Sequence, residues 1–318
     1  MMNFNHWRPS AAIETLRKRA AIIANIRSFF NSRGYLEVET PVMAQYGVTD
    51  VYLTNIQAQC RGKSYFLQTS PEYHMKRLLA AGSGPIFQLA RVFRDDELGR
   101  WHNPEFTLLE WYQLGIDHIA LMDEVDVLLQ AILGCKSMRR QTYQQLFLAV
   151  CGFDPFTADL PELRQVLRRF NLQGVLVEDE QDRDQYLFLL MSHVIEPALA
   201  REQVPVAVYH FPPSQAALAQ INHGVAERFE VYFRGVELAN GFHELTDARI
   251  QRARLKRDVE IRCAQGLTGS QPDEYFLQAL EHGLPACSGV ALGIDRLLAL
   301  ALEQPAIAKV IAFDFFNA

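Results

Sequence analysis

Arg94-Asp95-Asp96-Glu97 follows an apolar run, and His102-Asn103-Pro104-Glu105-Phe106 and Glu110-Trp111-Tyr112 come next. Charges beside apolar strand residues point to a site or to ion pairs, because burying one alone costs several kcal/mol. A strand, a polar loop and a second strand would set Arg94 and Glu110 on neighbouring backbones. Arg94 could then grip a phosphate or carboxylate with its planar fork; the plainer reading is a surface hairpin with ion pairs. A second cluster is Gly235 to Glu244. Its two acids, Glu237 and Glu244, lie seven apart across a bend and could hold Mg²⁺ against phosphate oxygens, or be one exposed acid and one structural partner. Alternation puts Glu237 and Asn240 on opposite faces unless a bulge intervenes, which Gly241 would allow. The third, Ser288 to Arg296, has small residues that let a flat ligand or another backbone approach. Arg296 could reach phosphate or stack on a base. Neither a phosphate-binding loop nor a dinucleotide fingerprint is present here, and a tightly packed core strand is the alternative.

These residues need elements to hold them. Apolar positions from Ile13 to Phe30 recur at three and four, predicting a helix from a Ser10 cap to about Ser32. Tyr35–Thr40 reads as a strand stopped by Pro41. Residues 51–69 read as two strands around a turn at Arg61-Gly62-Lys63, and Pro71 opens a helix to Ala80. Pro85–Phe93 and Glu105–Tyr112 read as strands and 118–133 as a helix. From about 136 to 205 the chain is mostly helical, with helices near 141–150, 161–170 and 182–201. Strands return at 206–210, 228–234 and 236–240, helices at about 246–265 and 273–282, then a strand at 289–293 and a helix at 294–303. Strands on both sides of a helical insertion predict one sheet and an α+β class.

Composition narrows the function. The chain has 318 residues, 49% hydrophobic and 21% charged, enough for a sizeable core. Lys and Arg number 31 against 37 Asp and Glu, a formal charge of −6, which argues against a general nucleic-acid coat. No apolar run reaches membrane-spanning length, and Met1 to Arg19 lacks the order of a secretory signal. The five cysteines are scattered with no Cys-x-x-Cys pair, which fits a reducing compartment and predicts a cytoplasmic protein. His74, His118, His193 and His282 show no metal-ligand spacing and read as structural or exposed, and Phe315-Phe316 as core or dimer packing.

Taken in order, these segments resemble the three signature motifs of class II aminoacyl-tRNA synthetases and look like the lysine-specific branch. Gly34 to Met43 resembles motif 1, Phe93 to Tyr112 motif 2, Val236 to Glu244 that branch's acidic strand, and Gly289 to Arg296 motif 3; Thr69-Ser70-Pro71-Glu72-Tyr73 adds a further element. The resemblance spans about 12–135 and 206–313. It implies an antiparallel sheet flanked by helices, in a single catalytic domain over 1–318 with the insertion at about 136–205. It also implies a homodimer through motif 1, and ATP with Mg²⁺. Arg94 would bridge the substrate carboxylate and the α-phosphate. Asp95 and Asp96 follow it, Asp96 standing where the family usually has Glu toward adenine. His102 and Asn103 would lie near the phosphates. Phe106 and Arg296 would cover the two faces of adenine, with Leu238 and Gly293 against the nucleotide and Glu237 and Glu244 on Mg²⁺. Glu72, with Ser70 and Pro71 beside it, would receive the substrate's amino group. Glu110, Tyr112 and Glu244 would receive an ε-ammonium, and Asn240 and Phe242 would line that pocket.

Two features depart from the full synthetases. The first catalytic-domain helix begins near Ser10, leaving no room for an anticodon-binding domain. Ala291 stands where the lysyl branch has glycine, and its methyl would crowd an α-amino acid's backbone end. Both features, with the runs Tyr209 to Gln220 and Asn240 to Ala248, resemble the free-standing lysyl-synthetase paralogues that modify elongation factor P. That resemblance implies activation of (R)-β-lysine or lysine and transfer to a lysine of elongation factor P, with tRNA and membranes not engaged. A truncated synthetase that charges tRNA or a small amine with lysine is the alternative.

Overall fold

The periodic apolar residues near the N-terminus form the helix Ile13–Asn31, with Ile26 and Phe30 fully buried. The computed structural model describes residues 7–95, 98–267 and 270–318. It stacks the Phe30 ring on Phe87 at 4.8 Å and tilts it against Trp111 at 5.2 Å. Ser10 does not cap this helix. Ala12 takes that position, and the Ser10 hydroxyl exchanges hydrogen bonds with Asp314.

The chain forms two units, Met1–Ile116 with Leu245–Ala318, and Asp117–Glu244. In the first, strands run in the order Leu36–Glu37, Ile86–Phe93, Glu105–Leu114, Cys287–Gly293. The outermost pair is parallel and the others antiparallel. The strand expected over Tyr35–Thr40 shortens to Leu36–Glu37. The strands Met43–Ala44, Gln57–Cys60 and Lys63–Leu67 make a small sheet of their own, contrary to the expectation of a single sheet. Arg61 and Gly62 both have positive φ, at 53° and 75°, which folds this hairpin back on itself.

The helix Ile294–Ala301 is moored by a buried ion pair. Arg19 Nη1 donates to Asp295 Oδ1 at 2.6 Å, and the Thr107 backbone N–H donates to Asp295 Oδ2 at 2.8 Å. Asp295→Ala would leave the buried guanidinium without its counter-charge and the Thr107 N–H without its acceptor. We expect a loss of about 3–5 kcal/mol, read as a lower urea midpoint at unchanged slope.

In the second unit the order is Val236–His243, Val225–Phe233, Val206–Phe211, Arg139–Thr142, with Ile221–Asn222 paired to Val225–Phe233. Helices Tyr143–Cys151, Leu160–Arg169 and Arg183–Leu190 fall where their spacing predicts. They bury Phe147, Leu163, Leu187 and Leu190 against Val206, Val208 and Phe211. The expected helix over 182–201 changes to a π turn at Met191–Ile195 just before Pro197. Pro197 has no N–H to give the regular ladder. Among the described residues no helix is long and apolar enough to cross a membrane. Phe315 and Phe316 meet edge to face but are 55% and 75% exposed, so they are not core.

Candidate active site

Strand register decides which side chains share a face. On Glu105–Leu114, Phe106, Leu108, Glu110 and Tyr112 point the same way. Across from Glu110 stand Gln88 on one side and Ala291 on the other; across from Tyr112 stand Ile86 and Gly289. Gly289, Ala291 and Gly293 therefore keep one flank of this face low. A Cβ at Gly293 would come to 3.5 Å from the Arg296 stem. Phe106 and Ala291 close over a small cluster of Ala90, Val92 and Leu108.

Glu110 is 2% exposed. Its Oε2 accepts from Ser70 Oγ at 2.7 Å and its Oε1 from the Tyr112 hydroxyl at 2.6 Å. Burial, then the nearby Glu72 charge, pushes its carboxyl up to about 7, against the pull of those two hydrogen bonds and of Lys76. Such an acid lacks a full counter-charge and suits a cationic ligand. Ser70 Oγ also accepts the Glu72 backbone N–H, and Pro71 stands just before the helix Glu72–Ala80. Thr69, Ser70, Glu72 and Tyr73 line one cleft.

Glu72 lines that cleft, yet the ammonium on it belongs to the chain itself. Lys76, 1% exposed, reaches Glu72 Oε1 at 2.5 Å. Sequence reading missed Lys76, although its place four residues after Glu72 on a helix is a readable pairing signal.

Arg94 Nη2 donates to the Thr69 carbonyl at 3.4 Å, and its guanidinium lies 5.1 Å from the Phe106 ring centre. Arg94 and Glu110 do lie on neighbouring backbones, and the Arg94 N–H donates to the Pro104 carbonyl. Arg296 donates from Nη2 to His102 Nε2 at 2.6 Å and from Nε to the Trp101 carbonyl. Asn103 uses its amide on backbone, donating to the Glu105 carbonyl and accepting the Phe315 N–H. That marks it as a loop brace. Asp95 is exposed, and its N–H donates to the Thr54 carbonyl. Asp96, with the neighbouring Glu97, lies outside the described residues.

The remaining expected residues lie in the second unit on Val236–His243. Arg234 and Gly235 both have positive φ and form the two-residue turn that sets its register. Glu237 pairs with Tyr232 and Ala239 with Val231, so a bulge falls at Leu238 and not at Gly241. The extra residue brings Glu237, Asn240 and Phe242 onto one face. Opposite them stand Tyr232, Glu230 and Arg228. Leu238 itself is 2% exposed, and Glu244, just past the strand, is fully buried.

Glu230 organises that face. It accepts from the Tyr232 hydroxyl at 2.5 Å and from Asn240 Nδ2 at 3.2 Å, and it pairs with Arg228. Sequence reading missed Arg228, Glu230 and Tyr232, although polar residues at every second position of a strand were the available sign.

A second polar group in this unit was also missed. Glu227 and the His243 ring are in hydrogen-bond contact beside the buried His118, whose imidazole burial pushes down to about 4.

Residues 2–316 match the family described as tRNA synthetases class II (D, K and N). A protein of Edwardsiella ictaluri (strain 93-146) named elongation factor P–(R)-beta-lysine ligase is 54% identical over 99% of both chains. One of the same name from Proteus mirabilis (strain HI4320) is 52% identical over the full length of both. By its sequence match and its antiparallel strands flanked by helices, this chain belongs to the class II tRNA synthetases of the D, K and N group.

Proposed function

We propose that this protein activates (R)-β-lysine with ATP as an acyl-adenylate and transfers the acyl group to a lysine of elongation factor P. The observation that carries the reading is Glu110, a buried carboxylate hydrogen-bonded on both oxygens and raised to about 7. A substrate ammonium offsets that charge, and a neutral side chain would leave it buried and unpaired. The names of the two relatives supply the substrate and the acceptor.

In the first step a carboxylate oxygen of the substrate bonds to the α-phosphorus and the bond to pyrophosphate breaks. In the second, the acceptor amine bonds to the acyl carbon, AMP leaves and the amine loses a proton. Neither step needs a protein nucleophile, so the chain contributes orientation and charge. Arg94, braced on Thr69 and Phe106, meets the charge gathering on the α-phosphate. Arg296, braced by His102 and Trp101, takes the outer phosphates and an adenine face. Glu110 and Tyr112 receive one of the substrate's ammonium groups, and Glu72 receives the other by giving up its pair with Lys76.

The donors fit a hard divalent ion. Glu237 is a half-buried carboxylate and Glu244 a buried one. Mg²⁺ is ordinarily held by one or two carboxylates together with substrate phosphates. When bound, it neutralises phosphate charge. The protein acts in the cytoplasm as a single catalytic domain and as a homodimer through the motif 1 segment, whose Leu36, Val42 and Met43 are exposed. Light scattering should return twice the chain mass; the chain mass would refute the dimer.

The test is ATP–pyrophosphate exchange with α-lysine and (R)-β-lysine side by side, each chased with elongation factor P or lysine tRNA. Preference for β-lysine with transfer to the protein alone is expected. Preference for α-lysine with transfer to tRNA would overturn the reading. Because Ala291 stands beside Glu110, Ala291→Gly should lower the β-to-α preference about tenfold, the usual worth of one methyl in a pocket.

A further inference from the structure

His118, Glu227 and His243 come from three elements of the second unit: the start of the helix His118–Leu133, the strand Val225–Phe233 and the end of the strand Val236–His243. One ligating atom from each lies within 4.8 Å of the other two. His118 is 3% exposed, and neither of its ring nitrogens has a hydrogen-bond partner. A buried imidazole with both nitrogens unmatched is costly. Its ring is packed in place, 5.1 Å from the His210 ring and 6.5 Å from that of His243. His210 itself is held at φ 60°, an uncommon backbone state for a residue other than glycine.

We propose that His118, Glu227 and His243 bind a borderline first-row divalent cation of the Zn²⁺ class, separate from the Mg²⁺ that accompanies ATP. Two imidazoles and one carboxylate are a three-ligand zinc set with a position left over for water or a further donor. His210, whose ring lies 5.1 Å from that of His118, is one such donor. Imidazole selects Zn²⁺ over Mg²⁺, which prefers oxygen ligands. The positive end of the helix at His118 works against a cation, and the carboxylates of Asp117, which caps that helix, and Glu227 counter it. Glu227 and His243 keep 16% and 19% of their side chains exposed, which leaves an entry path. A cation here would join the three elements and fix the strand end next to Glu244.

The test uses the full chain after treatment with a chelator. Zn²⁺ is titrated calorimetrically, and Co²⁺ is added as a spectroscopic probe. We expect one Zn²⁺ per chain, a rise in Tm with Zn²⁺, and Co²⁺ d–d bands without thiolate charge transfer. His118→Phe keeps an aromatic ring in the packed position, and Glu227→Gln keeps the shape of the acid. Each should weaken Zn²⁺ binding by more than roughly tenfold, since even outer-shell changes cost about 10–100-fold. No binding by the wild-type chain would overturn the proposal. So would a thiolate band, which would place the ion on a cysteine, or unchanged affinity in the folded variants. If circular dichroism shows one variant unfolded, the other decides.

Discussion

Glu110→Gln is expected to raise the KM for the lysine substrate by about 10²–10³-fold, while nucleotide binding in its absence stays unchanged. The amide can still accept a hydrogen bond from Ser70 or Tyr112, so the fold survives. What is lost is the charge facing a buried ammonium, a change worth about 3–5 kcal/mol when one partner of a buried pair is removed. Pyrophosphate exchange against substrate concentration, with calorimetry for the nucleotide, separates the two effects. Equal loss of both would refute the assignment.

The raised pKa of Glu110 adds a pH signature. Only the ionised carboxylate attracts an ammonium. Substrate kcat/KM should therefore fall as pH drops through about 7, since that ratio reports the free enzyme's groups. Glu110→Gln should abolish this limb. Stability runs the opposite way. In the folded chain Glu110 holds its proton from its ordinary 4.5 up to about 7. Its contribution is therefore fully present below 4.5 and is lost as pH rises through about 7. At pH 8 the glutamine variant should melt no lower than wild type while turning over far less.

Arg94→Ala is expected to lower kcat for adenylate formation by about 10²–10³-fold, the usual cost of removing one preorganised donor from a transition-state charge. Substrate affinity should change less, because the charge it meets develops during the reaction. Arg94→Lys keeps the charge but loses both the fork and the contact with the Phe106 ring, so it should stay about tenfold or more below wild type. Pre-steady-state pyrophosphate release measures the step directly. Wild-type rates in the lysine variant would show that Arg94 acts only as a point charge.

Much of this could be read from the sequence. Apolar spacing located the helices of 143–151, 160–169 and 274–283, and the strands carrying Glu110 and Asn240. These are local signals, carried by residues three or four apart on a helix and two apart on a strand. The ordered motifs from Gly34 to Arg296 marked the family, because the chemistry needs those residue types and the fold's connectivity sets their order.

Register and partnership were not readable. The bulge at Leu238, and not at Gly241, is set by pairing with Val231 and Tyr232, and it alone turns Glu237 to the face of Asn240. Lys76 on Glu72, Glu230 among Arg228, Tyr232 and Asn240, and Asp295 between Arg19 and Thr107 are all agreements between charges and their surroundings. His118 looked unremarkable in sequence because its neighbours Glu227 and His243 lie far along the chain. Local propensity specifies elements. Which polar groups are buried together depends on how those elements pair and pack, and in a low-dielectric interior that arrangement sets their charge and their chemistry.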